Sequence, residues 1–178
     1  RGRDIGRYYY KWAGLWLIKI ESGWTNKNKK CQDPEEFFKS RYPAIYKHLI
    51  SFANKKGKGK GLFNRDDQGN YWWELRDCSY YGDFEKEKII WQEMSSTPSF
   101  IYDIDKFYTN QTAYIMIGYN LKYIISILNS KLSNLYLSNI AYSLSQNANR
   151  WIKQYVERIP IPKVSETEQK PFIELVDR

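Results

Sequence analysis

The spacing of apolar positions divides the chain into short segments of two kinds. Residues 16–20, Trp-Leu-Ile-Lys-Ile, combine aromatic and β-branched side chains and predict a strand. Residues 88–93, 100–104 and 113–117 share that character and predict three more. The pair Trp72-Trp73 follows the turn signal Gln68-Gly69-Asn70, so residues 65–76 read as a loop entering a strand. In a strand the two rings would point to opposite faces, one into the core and one toward the surface. Helical spacing shows elsewhere. Ile45, Leu49 and Phe52 recur at helical intervals. Leu121, Ile124, Ile125, Leu128, Leu132 and Leu135 trace one face of a long amphipathic helix near 120–137. That stripe is assigned to the core with Trp73 and Trp91.

Polar punctuation sets the boundaries. In Asp33-Pro34-Glu35-Glu36, Asp33 can cap a helix, Pro34 fits its first position, and Glu36 completes a capping box. Pro43 forces a break or a second start. Asn120 reads as the cap of the long helix. Residues 23–30 and 138–149 are polar and read as loop and turns. Residues 159–162, Ile-Pro-Ile-Pro, end the globular part in an extended segment. Residues 163–170 read as a linker and 170–178 as the start of a further helix. There is no internal repeat and no regular strand–helix alternation. The expectation is therefore an α+β fold with strands and helices around one core, not a doubly wound sheet. One domain spans 1–162. Because the chain opens on Arg1 and closes within a helix, it is expected to be a piece of a longer polypeptide.

Charge changes the picture. Across 178 residues, 28 Lys and Arg against 20 Asp and Glu leave a net +8, and aromatic residues make up 17%. Basic and aromatic excess together favour a nucleic-acid partner. The opening is itself basic, with Arg1, Arg3 and Arg7 around Asp4, and leads into an aromatic run. The segment Lys55-Lys56-Gly57-Lys58-Gly59-Lys60-Gly61 cannot hold a core element and reads as a positive loop, either simply solvated or gripping phosphates. No apolar run approaches a membrane span and no signal segment opens the chain. Cys31 and Cys78 read as reduced thiols of a cytoplasmic protein, and His48 as a packed or solvated helix histidine.

Catalytic constellations are not found. There is no Gly-x-Ser-x-Gly elbow and no Pro-Pro for an adenine-methyltransferase loop, and the one acid-x-Lys spacing, Glu168-Gln169-Lys170, falls in the polar linker. The close acids Asp66/Asp67 and Asp103/Asp105 read as solvated turn residues. No active site and no cofactor are expected in this segment.

Several short runs, in order, resemble one family. They are Arg41-Tyr42-Pro43 with Ile45, His48 and Leu49; Arg65-x-Asp67-x-Gly69; Trp72-Trp73-Glu74-Leu75-Arg76; 88–93; Phe107-Tyr108 to Tyr114; the helix through Asn129-Ser130-Lys131-Leu132; and Tyr155-Val156-Glu157 to Pro162. The opening Gly2-Arg3-Asp4-Ile5 matches as well. Together they resemble the TaqI-like C-terminal specificity domain, the target-recognition part of restriction–modification proteins, especially type IIG enzymes. The resemblance implies recognition of double-stranded DNA here. It places S-adenosylmethionine and adenine methylation in a separate N-terminal domain of the same chain. It assigns no role to the Lys/Gly loop.

The DNA-side candidates are Arg41, Arg65, Trp72, Arg76, Lys88 and Gln92, with Lys55, Lys56, Lys58 and Lys60 as phosphate contacts. Arg or Lys can chelate guanine and Asn or Gln adenine, while phosphate contacts set register. Structural alternatives stand beside them. Arg76 could pair with Glu74 or Asp77, Gln92 could face inward, and a Trp pair could be core. Two other functions stay open: a general nucleic-acid-binding module for structured RNA or DNA, and a protein-interaction lobe.

Overall fold

A computed structural model describes residues 1–54, 61–145 and 148–178, with 143–145 and 148 described by backbone alone. The chain forms two compact units. The smaller is Trp16–Ser79; the larger joins Arg1–Leu15 to Tyr80–Arg178. Strands and helices mix as an α+β fold requires. In place of one core there are two separate apolar clusters.

The smaller unit holds three helices: α1 (Trp24–Asn28), α2 (Pro34–Arg41) and α3 (Pro43–Ala53). Asp33 caps α2, its Oδ1 accepting from the backbone N–H groups of Glu35 and Glu36 at 3.0 Å each. Pro34 follows at the first helical position. The Glu36 carboxylate does not complete a capping box; it turns to Lys39 at 3.5 Å. Tyr42, at φ −134°, breaks the helix ahead of Pro43, which opens α3. The core is Ile20, Phe38 and Trp73, with Trp24, Ile45, Leu49 and Trp72 packed around it. Two expectations fail here. Residues 16–20 form no strand: Ile20 O accepts from Leu75 N–H at 2.7 Å, but no ladder follows, and Trp16 is 85% exposed. The 23–30 stretch, expected as loop, contains α1.

In the larger unit, β1 (Lys88–Gln92) lies between β3 (Phe100–Asp103) and β4 (Ala113–Met116), antiparallel to both. The intervening β2 (Met94–Ser95) belongs to a second small sheet with β5 (Ser143–Ser145) and β6 (Ala148–Arg150), in the order β2-β6-β5. The β5–β6 pairing replaces part of the turn region expected at 138–149. Ile89, Trp91 and Phe100 pack with residues of α4 (Leu121–Leu128) in the main core.

The long helix expected near 120–137 is two helices, α4 and α5 (Lys131–Ile140). Asn129 is the reason. Its Oδ1 accepts from Phe100 N–H at 3.1 Å and its Nδ2 donates to Phe100 O at 2.9 Å, satisfying the outer edge of β3. Ser130 then caps α5, its Oγ accepting from Ser133 N–H. The break rotates the apolar face. Leu128 and Leu137 are buried, whereas Leu132, assigned to the core from spacing, is 76% exposed, and Leu135 is also exposed. Asn120 forms no side-chain cap and sits in the left-handed region.

A short α6 (Lys153–Val156) precedes the Ile-Pro-Ile-Pro segment. The last helix, α7 (Glu166–Val176), starts inside the expected linker and closes its first turn with a Ser165/Glu168 capping box. Phe172 meets Tyr123 of α4 edge-on, and Lys122 pairs with Asp177 at 2.6 Å.

Candidate nucleic-acid interface

The 65–76 run folds as a turn closed by a Gln68–Leu75 bridge, not as a strand. Its side chains hold the smaller unit together. Glu74 is fully buried. Its Oε2 accepts from the N–H groups of Gly23 (3.0 Å) and Asn70 (2.9 Å), and its Oε1 from Thr25 N–H (2.9 Å). Two of these donors stand at the start of α1, where the helix leaves N–H groups unpaired and favours a negative charge. Gly69 is required by this approach, because a Cβ there would lie 2.6 Å from Glu74 Cβ. Trp73 stacks between Phe38 and Tyr71, with centroids 5.2 and 4.9 Å away, and donates through Nε1 to Thr25 Oγ1 at 2.9 Å.

Of the predicted site residues, several have inward duties. Lys88 is a correction: it is fully buried, pairs with Asp103 across the β1–β3 register at 2.5 Å, and donates to Phe84 O at 2.7 Å. A cation without solvent access cannot meet a phosphate. Asp103, expected to be a solvated turn acid, is buried with it and also accepts from the N–H groups of Asp105 and Phe107. Arg65 is half-buried, its Nη2 donating to the carbonyls of Trp72 (3.1 Å) and Glu74. Trp72 does not take a face opposite Trp73; both rings join one cluster, 5.3 Å apart and edge-to-face. Gln92 is half-buried and donates to Met94 O.

Arg41 and Arg76 are exposed. Arg41 ends α2, and α3 presents an outward face with Ala44, Lys47, His48 and Ser51. His48 touches Phe52 edge-on at 5.1 Å. Among the described residues Arg41 and Lys47 form no ion pair, and the same holds for Lys27 and Lys30 at and after α1. Lys55, Lys56, Lys58 and Lys60 follow α3 in sequence and lie outside the described residues. Residues 16–79 carry 13 Lys and Arg against 8 Asp and Glu, so +5 of the total +8 belongs to the smaller unit. The two cysteines are free thiols.

The larger unit adds a feature that sequence spacing passed over. Arg3, Arg7, Tyr8, Tyr9, Lys11 and Trp12 are all exposed near the start of the chain. The basic opening and the aromatic run were legible separately; their interleaving at 7–12 was the signal. Tyr8 N–H donates to Phe100 O at 3.1 Å, Lys11 N–H to Asp4 O at 2.8 Å, and the Tyr10 ring lies 4.7 Å from Phe107. The Tyr10 hydroxyl donates to Asp105, and this bond, together with burial, raises its pKa.

Such surfaces can neutralise phosphates and offer aromatic faces. Among the described residues no helix is long and apolar enough to cross a membrane. In comparison with known families, residues 1–161 match the TaqI-like C-terminal specificity domain. No curated protein matches the chain.

Proposed function

The chain belongs to the TaqI-like C-terminal specificity domain family, whose role is DNA target recognition in restriction–modification enzymes, and from that premise we propose that it reads a specific sequence in double-stranded DNA. In this reading a separate N-terminal domain of the same cytoplasmic polypeptide binds S-adenosylmethionine and methylates adenine. Parents of the type IIG kind also cut. The specificity domain performs neither step; it holds the duplex and sets the register.

The family match over residues 1–161 carries the proposal. The +5 of the smaller unit and the exposed Arg41, Lys47 and Arg76 support it. Lysines supply affinity by releasing counterions from phosphates. Sequence choice requires side chains that reach base edges, for which Arg41 and Arg76 have the right chemistry. Extruding a base for methylation costs a few kcal/mol of unstacking, which a recognition domain gripping the flanking duplex helps to offset.

Selection by the full 178-residue chain from a randomised duplex pool should return a shared motif. Affinity for that motif should fall with salt at a log–log slope of roughly −4 to −5, as about five phosphate contacts require. Arg41→Ala or Arg76→Ala should cost about 1–3 kcal/mol if the residue reads a base, relaxing one position, whereas Lys47→Ala should weaken all sequences alike. A pool returned without enrichment, or equal affinity for RNA and duplex DNA, would overturn the reading.

A further inference from the structure

The arm at residues 6–11 of the larger unit is tied down by backbone hydrogen bonds yet leaves its side chains largely exposed. Gly6 N–H donates to Tyr9 O at 2.8 Å, and Ile5 and Tyr10 form a bridge. Tyr8 N–H is fixed to the edge strand β3 through Phe100 O. From Tyr9 onward side chains alternate, as in extended chain. Tyr10, though partly exposed, lies against Phe107 and bonds Asp105, while Tyr9 and Lys11 are exposed. Tyr9 lies over Gly6, where any side chain would collide with its ring, and is still 66% exposed. Arg7 stands beside the Tyr8 ring at 5.7 Å. The local acid is already engaged: Asp4 pairs with Arg1 at 2.8 Å. Among the described residues Arg3, Arg7 and Lys11 have no carboxylate partner.

We propose that this arm is a second DNA contact, in which Tyr9 stacks on an unstacked base and Arg7 and Lys11 take the phosphates on either side. It rests on the DNA reading given above and adds a different kind of DNA to it. In an intact duplex both faces of every base are covered, and a tyrosine ring has nothing to stack on. An exposed ring flanked by cations suits a base whose neighbour has moved away, as in single strands, bulges and distorted steps. Because the ring is already positioned over Gly6, little conformational freedom is lost on contact.

The test compares a fully paired duplex with the same duplex carrying one unpaired adenine, using the full chain and fluorescence anisotropy. The unmodified protein should bind the bulged duplex more tightly. Tyr9→Ala should weaken the bulged complex about 5- to 150-fold, the range that base–aromatic stacking supplies, and change the paired complex less than about threefold. Tyr9→Phe should keep the preference, since the ring is retained. Gly6→Ala should lose it, because the ring is displaced without being removed. The double change Arg7→Gln with Lys11→Gln should flatten the salt slope on the bulged duplex by roughly 1.4–1.8. If Tyr9→Ala binds the bulged duplex as the unmodified chain does, while the paired duplex is still bound, the arm proposal falls and the family reading stands. If the unmodified chain binds no duplex at low salt, the DNA reading falls and takes the arm with it.

Discussion

Glu74→Gln separates a structural role for the Trp-Trp-Glu-Leu-Arg run from a DNA-reading one. Glutamine keeps the shape and removes the charge. The native carboxylate receives three backbone N–H bonds of 2.9–3.0 Å in a fully buried site. With its carbonyl turned to Gly23 and Asn70, the glutamine amide would face Thr25 N–H, donor against donor. That orphans one buried N–H, at about 1–3 kcal/mol, and reduces two charge-assisted bonds to neutral ones, at about 1 kcal/mol each. Relief of the desolvation cost of a buried carboxylate offsets part of this. The expected net loss is about 2–3 kcal/mol. Residue-resolved amide exchange is the suitable assay, because a protein of two units need not unfold in one step. Protection of Thr25 and its α1 neighbours should drop by that amount, while amides of β1 and α4 stay unchanged. A loss below about 0.5 kcal/mol, accompanied by weaker DNA binding, would refute the reasoning and return the run to the interface.

Other residues give sharper contrasts. Lys88→Ala strands Asp103 as a buried charge and should cost about 3–5 kcal/mol in urea unfolding, without altering the DNA salt slope of the folded fraction. Asn129→Ala removes both bonds to the Phe100 backbone and should cost about 2–4 kcal/mol, with faster exchange along β3 as the readout. Ser165 holds the Glu168 carboxyl below its ordinary value of 4.5 through side-chain and then backbone hydrogen bonds. A lowered carboxyl stabilises the fold above its unfolded pKa. That contribution is lost as pH falls through the folded value, so α7 should keep its exchange protection at pH 5 and loosen well below 4.5. Ser165→Ala removes the larger of the two bonds and should diminish this step.

What the chain disclosed about its fold followed the range of the interactions. Asp33 caps α2 across two and three residues, and Pro43 opens α3 by its own ring, so both were readable locally. β1, β3 and β4 were also readable, because β-branched and aromatic runs suit a half-buried pleated surface. Residues 16–20 carry the same composition without forming a strand, because a run becomes one only where a neighbour supplies the ladder. Glu74 reaches α1 across 49 and 51 positions, which no window of spacing contains. Lys88 and Asp103 are partners only through strand register. The helix break at Ser130 falls inside the apolar stripe from Leu121 to Leu135, which spacing alone reads as one helix. For the interface, sequence could not separate Arg41, which is exposed, from Arg65, whose guanidinium serves two carbonyls.

The distribution of acids explains why a modest surplus of charge can still act on DNA. A lysine already paired with a carboxylate must break that pair to meet a phosphate, and the exchange returns little. In the smaller unit five of the eight acids have other partners. Asp33 caps α2, Glu35 accepts from the Tyr46 hydroxyl at 2.8 Å and holds that phenol's pKa up, and Glu74 faces three N–H groups inside. Glu21 and Glu36 take Lys19 and Lys39. Arg41, Lys47, Lys27 and Lys30 are therefore left without a short-range carboxylate among the described residues, and a phosphate reaching them displaces only water and counterions. The same holds at the arm, where Arg1 occupies Asp4 and leaves Arg3, Arg7 and Lys11 without a carboxylate partner among the described residues. In the proposed reading, structural use of the carboxylates matters to the binding surface as much as the lysines do. It follows that Glu35→Gln, which frees no cation, should leave DNA affinity nearly unchanged, whereas placing a carboxylate beside Lys47 by Ser51→Glu, one helical turn on, should lower it.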